Sequence, residues 1–143
     1  MRFLGLDLGT KTLGVSISDK TNNFASFLKV IRFDFEDYEK ALEELKQIIN
    51  EYKITNLALG LPKNMDNSCG FAAQRSLKFK EMIEKNIDIE VTLIDERLTT
   101  VAAHKTMNFL DVNKNKKRNI VDTISAVYIL ETYLNKIKNQ LPK

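Results

Sequence analysis

Residues 2–19, RFLGLDLGTKTLGVSISD, join a nearly continuous apolar run to an alternating one across a short turn. Phe3 to Leu8 reads as a buried strand, and Leu13, Val15 and Ile17 alternate with Gly14, Ser16 and Ser18 as a second. Gly9-Thr10-Lys11 leaves room only for a tight antiparallel hairpin. Asp7 is the exception within it. A carboxylate in a buried strand is costly unless it is paired, hydrogen-bonded or bound to a cation, so this position is a candidate site from the outset.

Further along, the turn from Asp19 to Asn23 returns the chain into a third antiparallel strand, Phe24 to Phe33. Asp37 suits the N-cap of a helix in which Tyr38, Ala41, Leu42, Leu45, Ile48, Ile49 and Tyr52 share one stripe. Ile54 to Leu61 is the next buried strand, ended by Pro62, which removes a ladder donor. A polar loop follows, then a helix carried by Ala72, Ser76, Phe79 and Ile83, with Met82 beside them and Asn86 placed to end it. Ile87, Ile89, Val91 and Leu93 alternate into a fifth strand that stops at Asp95-Glu96-Arg97. A short helix over 101–108, a basic asparagine-rich loop and a final helix over 119–138 complete the chain. Strands in hairpin order followed by alternating helix and strand predict one α/β domain over 1–143. Its mixed five-stranded sheet has three antiparallel strands, then two parallel ones, with helices on both faces.

At 143 residues the chain can bury a core without staples. One cysteine, Cys69, and one histidine, His104, exclude an intramolecular disulfide and a zinc site of Cys/His type. Met1 runs straight into a strand and no apolar segment is long enough to cross a membrane, so a cytoplasmic protein without membrane association is expected. The net charge of +3 and pI near 8.9 are compatible with a polyanionic partner.

The acids give that partner a chemistry. Ligands of open α/β sheets collect beyond the carboxyl ends of the parallel strands, where Asp7 would meet Asp95 and Glu96. Asp122 shares a helix line with Ser125, Ala126, Ile129 and Tyr133, whose small members allow a close approach to the sheet. Carboxylates sharing a cleft repel one another unless a cation neutralises them. Oxygen donors without imidazole or thiolate select Mg²⁺ or Mn²⁺, and two such ions can activate water against a phosphodiester. Lys114, Lys116, Lys117 and Arg118 precede the Asp122 helix, and Lys11, Lys63 and Arg97 lie in loops at the same expected end, ready to hold a polyanion. The combination favours a nuclease. Each acid has a structural reading as well: Asp7 as a turn cap, Asp95 or Glu96 as a partner of Arg97, Asp122 as an acid favoured by a helix dipole.

Four separated segments then resemble one family. They are LDLGTKTLGVS from Leu6, GLPKNMD from Gly60, DERLTT from Asp95 and DTISAVYIL from Asp122. In order and spacing they are similar to the signature segments of the YqgF family, also called RuvX, across essentially the whole chain. The resemblance implies a fold similar to ribonuclease H and to the Holliday-junction resolvase RuvC. It also implies a nuclease that matures the 5′ end of the small-subunit ribosomal RNA precursor. Asp7, Glu96 and Asp122 match the family's acidic positions and would be both catalytic and ligands of a two-ion Mg²⁺ or Mn²⁺ site. The choice of Glu96 over Asp95 rests on the resemblance, because strand parity puts Asp95 on the Leu93 face without saying which face the site uses. Asp95 is the second choice. Asn67 replaces a glycine common in the family, a change asparagine tolerates.

Thr10 and Lys11 are candidates to position the scissile phosphate, and Arg97 to stabilise developing charge. The expected partner is nucleic acid, with precursor ribosomal RNA favoured over branched DNA. Junction resolution would need a symmetric dimer, whereas RNA trimming needs only one chain, so monomer and homodimer both stand. A junction resolvase and a non-catalytic RNA-binding assembly factor are the alternative readings. The first hairpin also resembles the phosphate-contacting hairpin of the actin, Hsp70 and sugar-kinase superfamily. The sequence has no second such hairpin and no Gly-x-x-x-x-Gly-Lys-Ser/Thr loop, which argues against ATP binding.

Overall fold

A computed structural model describes residues 2–22, 24–61, 70–95 and 125–137. Glu96, Arg97, Asp122 and the basic residues Lys114, Lys116, Lys117 and Arg118 lie outside the described residues, as does the helix expected over 101–108. The elements in order are β1 (Arg2–Leu8), β2 (Thr12–Ser18), β3 (Ala25–Arg32), α1 (Tyr38–Tyr52), β4 (Ile54–Leu61), α2 (Phe71–Asn86) and β5 (Glu90–Asp95). Residues 125–137 are helical (α3).

The five strands form one sheet in the order β3-β2-β1-β4-β5. β2 is antiparallel to both β1 and β3, whereas β4 is parallel to β1 and to β5. This is the arrangement expected from the sequence. Hairpins can only reverse direction, and the helical crossovers α1 and α2 return the chain to the same end.

Strand period separates two cores. Leu4, Leu6, Leu13, Val15, Leu57 and Leu59 face α1 and α2, where Leu45, Ile48, Phe79 and Ile83 cover them. Phe3, Ala58 and Ile94 face the other way, against Ile129, Leu130, Tyr133 and Leu134 of α3. The sheet is therefore covered by helices on both sides.

α1 follows its sequence pattern closely. The Asp37 carboxylate accepts from the Lys40 N–H, and Tyr38, Ala41, Leu42, Leu45, Ile48 and Ile49 are buried. Two expectations need correction. In α2 the buried residue of the first turn is Ala73, not Ala72, which completes a three-residue step to Ser76. The fifth strand begins at Glu90: Ile87 is the C-cap residue of α2 and Ile89 bonds back to it, so both pack on the core without joining the ladder.

Lys53 ends α1 in the left-handed region, at φ 55° and ψ 53°, with its N–H donating to the Ile49 carbonyl. An L side chain there costs about 1 kcal/mol that glycine does not incur. Lys53→Gly is expected to raise the midpoint of thermal unfolding by a few degrees, as calorimetry would show.

Candidate active site

Asp7 sits half-buried near the carboxyl end of β1, on the face of Phe3 and Gly5 that α3 covers. Its partner across β2 is Gly14. Continuing the β1/β4 register one step beyond Leu6 and Leu59 brings Gly60 to its other side, with Ile94 next along the row. Glycine therefore stands beside it on both neighbouring strands, so neither in-register neighbour contributes a side chain. A half-buried carboxylate is the kind of oxygen donor that a hard divalent cation takes.

The hairpin beyond Asp7 is pinned from two directions. The Gly9 N–H donates to the Thr12 carbonyl at 2.7 Å, closing the turn. The connector between β3 and α1 then caps it: Phe33 N–H donates to the Lys11 carbonyl at 2.9 Å and Glu36 N–H to the Thr10 carbonyl at 2.8 Å. The carbonyls of the turn are thus committed to the protein, with the Thr10 side chain half-buried and that of Lys11 exposed.

Helix α3 presses on β1 beside this site. The Ser16 hydroxyl donates to the Ala126 carbonyl at 2.6 Å. A methyl group at Gly5 would meet that same carbonyl. Further back, Phe3 and Tyr133 pack edge to face with ring centroids 5.6 Å apart. Moving along β1 from Phe3 to Gly5, the helix contact moves from Tyr133 back to Ala126. α3 therefore runs antiparallel to β1, with its N-terminal end directed toward Asp7.

Asp95 closes β5 opposite Leu61, at the same end of the sheet as Asp7. It shares a face with Leu93, which packs on the α1/α2 core, whereas the alternate residue Ile94 packs under α3. Asp95 consequently lies on the face opposite Asp7. Thr10 and Lys11 lie in the turn that follows β1, and Asp95 lies across the sheet from Asp7. Among the described residues no group of three Asp, Glu, His or Cys side chains could hold a metal, and Glu96 and Asp122 are not among those residues.

Gly5 and Ser16 are the positions that sequence reasoning passed over. Two small residues on strands carry no signal by themselves, and only their contact with Ala126 gives them meaning. A pocket of about 440 Å³ lined by Arg2, Lys20, Glu51, Tyr52 and Lys53 lies at the other end of β1 and contains none of the expected site residues.

A family model described as RuvX, Holliday junction resolvase, matches residues 1–136. A protein of Clostridium botulinum (strain Alaska E43 / Type E3) named "Putative pre-16S rRNA nuclease" is 44% identical over 137 residues, covering 96% of this chain and 98% of the relative. A Geobacillus sp. (strain WCH70) protein of the same name is 42% identical, covering 94% and 98%. Among solved structures, Thermus thermophilus RuvC in complex with Holliday junction substrate superimposes with a TM-score of 0.63 at 12% identity, covering 98% of this chain and 97% of that one. The Fowlpox virus resolvase, also with junction DNA, gives 0.53 at 15% identity, covering 96% and 99%. At such identities these two show a shared fold, the RuvC-like fold expected from the four segments. Matched by the family model over residues 1–136 and by these relatives over nearly their full length, the chain belongs to the RuvX family.

Proposed function

We propose that this protein is a metal-dependent endonuclease that hydrolyses phosphodiester bonds in RNA and processes the 5′ end of pre-16S ribosomal RNA during ribosome biogenesis. The observation that carries it is the position of Asp7 on the face of the sheet that α3 packs against, beyond the contacts of Phe3 and Gly5 and toward the N-terminal end of that helix. Asp122 precedes Ala126 by four residues, one helical turn in sequence, which favours it as the second acid of the same cleft. Glu96 is the third acid of the proposal, since Asp95 faces α1 and α2. These three carboxylates would hold two Mg²⁺ or Mn²⁺ ions, which when bound activate the attacking water and stabilise the leaving oxygen.

The protein's own groups then orient the substrate. The Thr10 hydroxyl donates to a phosphate oxygen and Lys11 neutralises the backbone, with Lys114, Lys116, Lys117 and Arg118 holding flanking phosphates. Arg97 stabilises the charge that develops at phosphorus. The products carry a 5′-phosphate and a 3′-hydroxyl. RNA is favoured over junction DNA because the relatives at 44% and 42% identity carry the ribosomal RNA name, whereas the junction-bound proteins match at 12% and 15%. No helix among the described residues is long and apolar enough to cross a membrane, and the cytoplasm, where ribosomes assemble, is the proposed location.

Parallel assays with Mg²⁺ or Mn²⁺ on an RNA spanning the 5′ boundary and on a four-way DNA junction, with the mass in solution measured alongside, test this assignment. RNA is expected to be cut and the junction left whole. A dimer that cuts the junction and spares the RNA would make the protein a resolvase. Tight RNA binding with no cutting in either metal would make it an assembly factor.

A further inference from the structure

Among the described residues strand β3 is one of the two edges of the sheet, and its surface is unusual. Phe24 and Phe27 are 72% and 41% exposed, and Phe35, just beyond the strand, is 63% exposed. Aromatic rings are ordinarily buried, and several exposed within one short segment mark a contact surface rather than scattered chance. From Phe24 to Phe33 the sequence holds no acid and two cations, Lys29 and Arg32, both exposed, whereas Phe35 stands between the exposed acids Asp34 and Glu36 and is outside the strip.

The strand register fixes where these groups stand. Phe27 pairs with Ser16, whose hydroxyl reaches α3, so its ring is on the face of Asp7. Arg32 pairs with Thr12 at the end where the Asp7 hairpin turns, and the next residue, Phe33, is bonded directly to the Lys11 carbonyl. With about 4.8 Å between neighbouring strands, β3 lies about 10 Å across the sheet from β1.

We propose that β3 is a binding strip for a single-stranded segment of the nucleic acid whose phosphodiester lies at Asp7. Phe27 stacks a base, and Arg32 together with Lys11 neutralises the adjoining phosphates. The inference rests on the nuclease reading and extends it to the substrate: a strand with unpaired bases beside the scissile bond. An exposed ring with a cation on the same face, Phe27 with Arg32, suits such a strand, because every base offers a π-face and the backbone supplies the charge; Lys29, paired with Val15, is on the other face. A continuous duplex has no free base face to offer. A second copy of this chain is a poorer occupant of the edge. The register shift between Val15 and Ser16 twists the strand there, and edge-to-edge pairing would bring Lys29 and Arg32 toward the cations of the other copy.

Fluorescence anisotropy with labelled single-stranded and duplex RNA of one sequence, in EDTA so that no bond is cut, tests the strip on the full chain. Phe27→Ala is expected to weaken single-strand binding by about 5- to 150-fold, the range for loss of one stacked base, with duplex affinity little changed. Phe27→Tyr restores the wild-type affinity. Arg32→Ala weakens binding and lowers its salt dependence by about one phosphate contact. Wild-type affinity in both Phe27→Ala and Arg32→Ala overturns the proposal, as does a Phe27→Tyr variant as weak as Phe27→Ala. A change in solution mass in place of RNA affinity also overturns it and makes the edge a subunit interface. Should these variants lose single-strand binding while the wild type cuts nothing with Mg²⁺ or Mn²⁺, the strip stands and the nuclease reading falls. Normal cutting with unchanged single-strand binding removes the strip alone.

Discussion

Asp7→Asn is expected to slow cleavage by at least about 10²–10³-fold, the scale on which one preorganised electrostatic group contributes to a reaction of this kind, and to do so without unfolding the protein. Asparagine keeps the shape of the side chain, and neither in-register neighbour contributes a side chain. The charge that attracts the cation is what disappears. Two readouts separate this from a folding defect. Single-turnover cleavage of the RNA falls, while thermal unfolding in EDTA remains a single cooperative transition. Added Mn²⁺ stabilises the wild type by binding to its folded state, and the variant loses that increment. A variant that cuts at the wild-type rate shows that Asp7 has been given the wrong role.

Gly5→Ala has the largest expected effect on the fold. The added Cβ would lie 2.5 Å from Ser16 Oγ, 2.7 Å from the Ala126 carbonyl oxygen and 2.7 Å from Leu130 Cβ. Only the serine hydroxyl can rotate away. The other two atoms belong to the backbone of α3 or to its first side-chain atom, so strand and helix must separate. Overpacking of this sort costs about 1–3 kcal/mol or more, which for a domain of this size lowers the melting temperature by roughly 5–10 °C. Activity is expected to fall further than stability does, measured at a temperature where the variant is still folded, because α3, which packs on the face of Asp7, is the element displaced. An unchanged melting temperature would mean that α3 does not approach β1 as closely as the Ser16–Ala126 hydrogen bond requires.

These two residues also mark the boundary of what the sequence discloses. Asp7 is legible because a carboxylate in an apolar strand violates a local rule that only function or a partner can repay. α1 is legible for a similar reason: its Asp37 cap and its stripe from Tyr38 to Ile49 are signals carried within one helix. Gly5 gives no such warning, since its meaning depends on Ala126, bonded to Ser16 from 110 positions away. Ala72 and Ala73 have the same hydropathy, and only docking of α2 on the sheet decides which of them is buried. The face of Asp95 was equally hidden. β5 has apolar residues on both sides, Val91 and Leu93 on one and Ile94 on the other, so parity acquires a direction only once α3 and the α1/α2 pair occupy their separate faces. Asp95, Glu96 and Asp122 were legible only by position, at a strand end and on a helix line of small residues, and the choice of Glu96 over Asp95 came from the family's signature segments.

Cleavage of the precursor RNA in EDTA, before and after an excess of Mn²⁺ or Mg²⁺ is restored, is the most direct test of carboxylate-held metal as the source of activity. No product is expected in EDTA, and restored metal should yield fragments ending in 5′-phosphate and 3′-hydroxyl. Undiminished cutting in EDTA that leaves a 2′,3′-cyclic phosphate would contradict it, for the RNA's own 2′-hydroxyl would then be the nucleophile and the acids around Asp7 would have no part in the reaction.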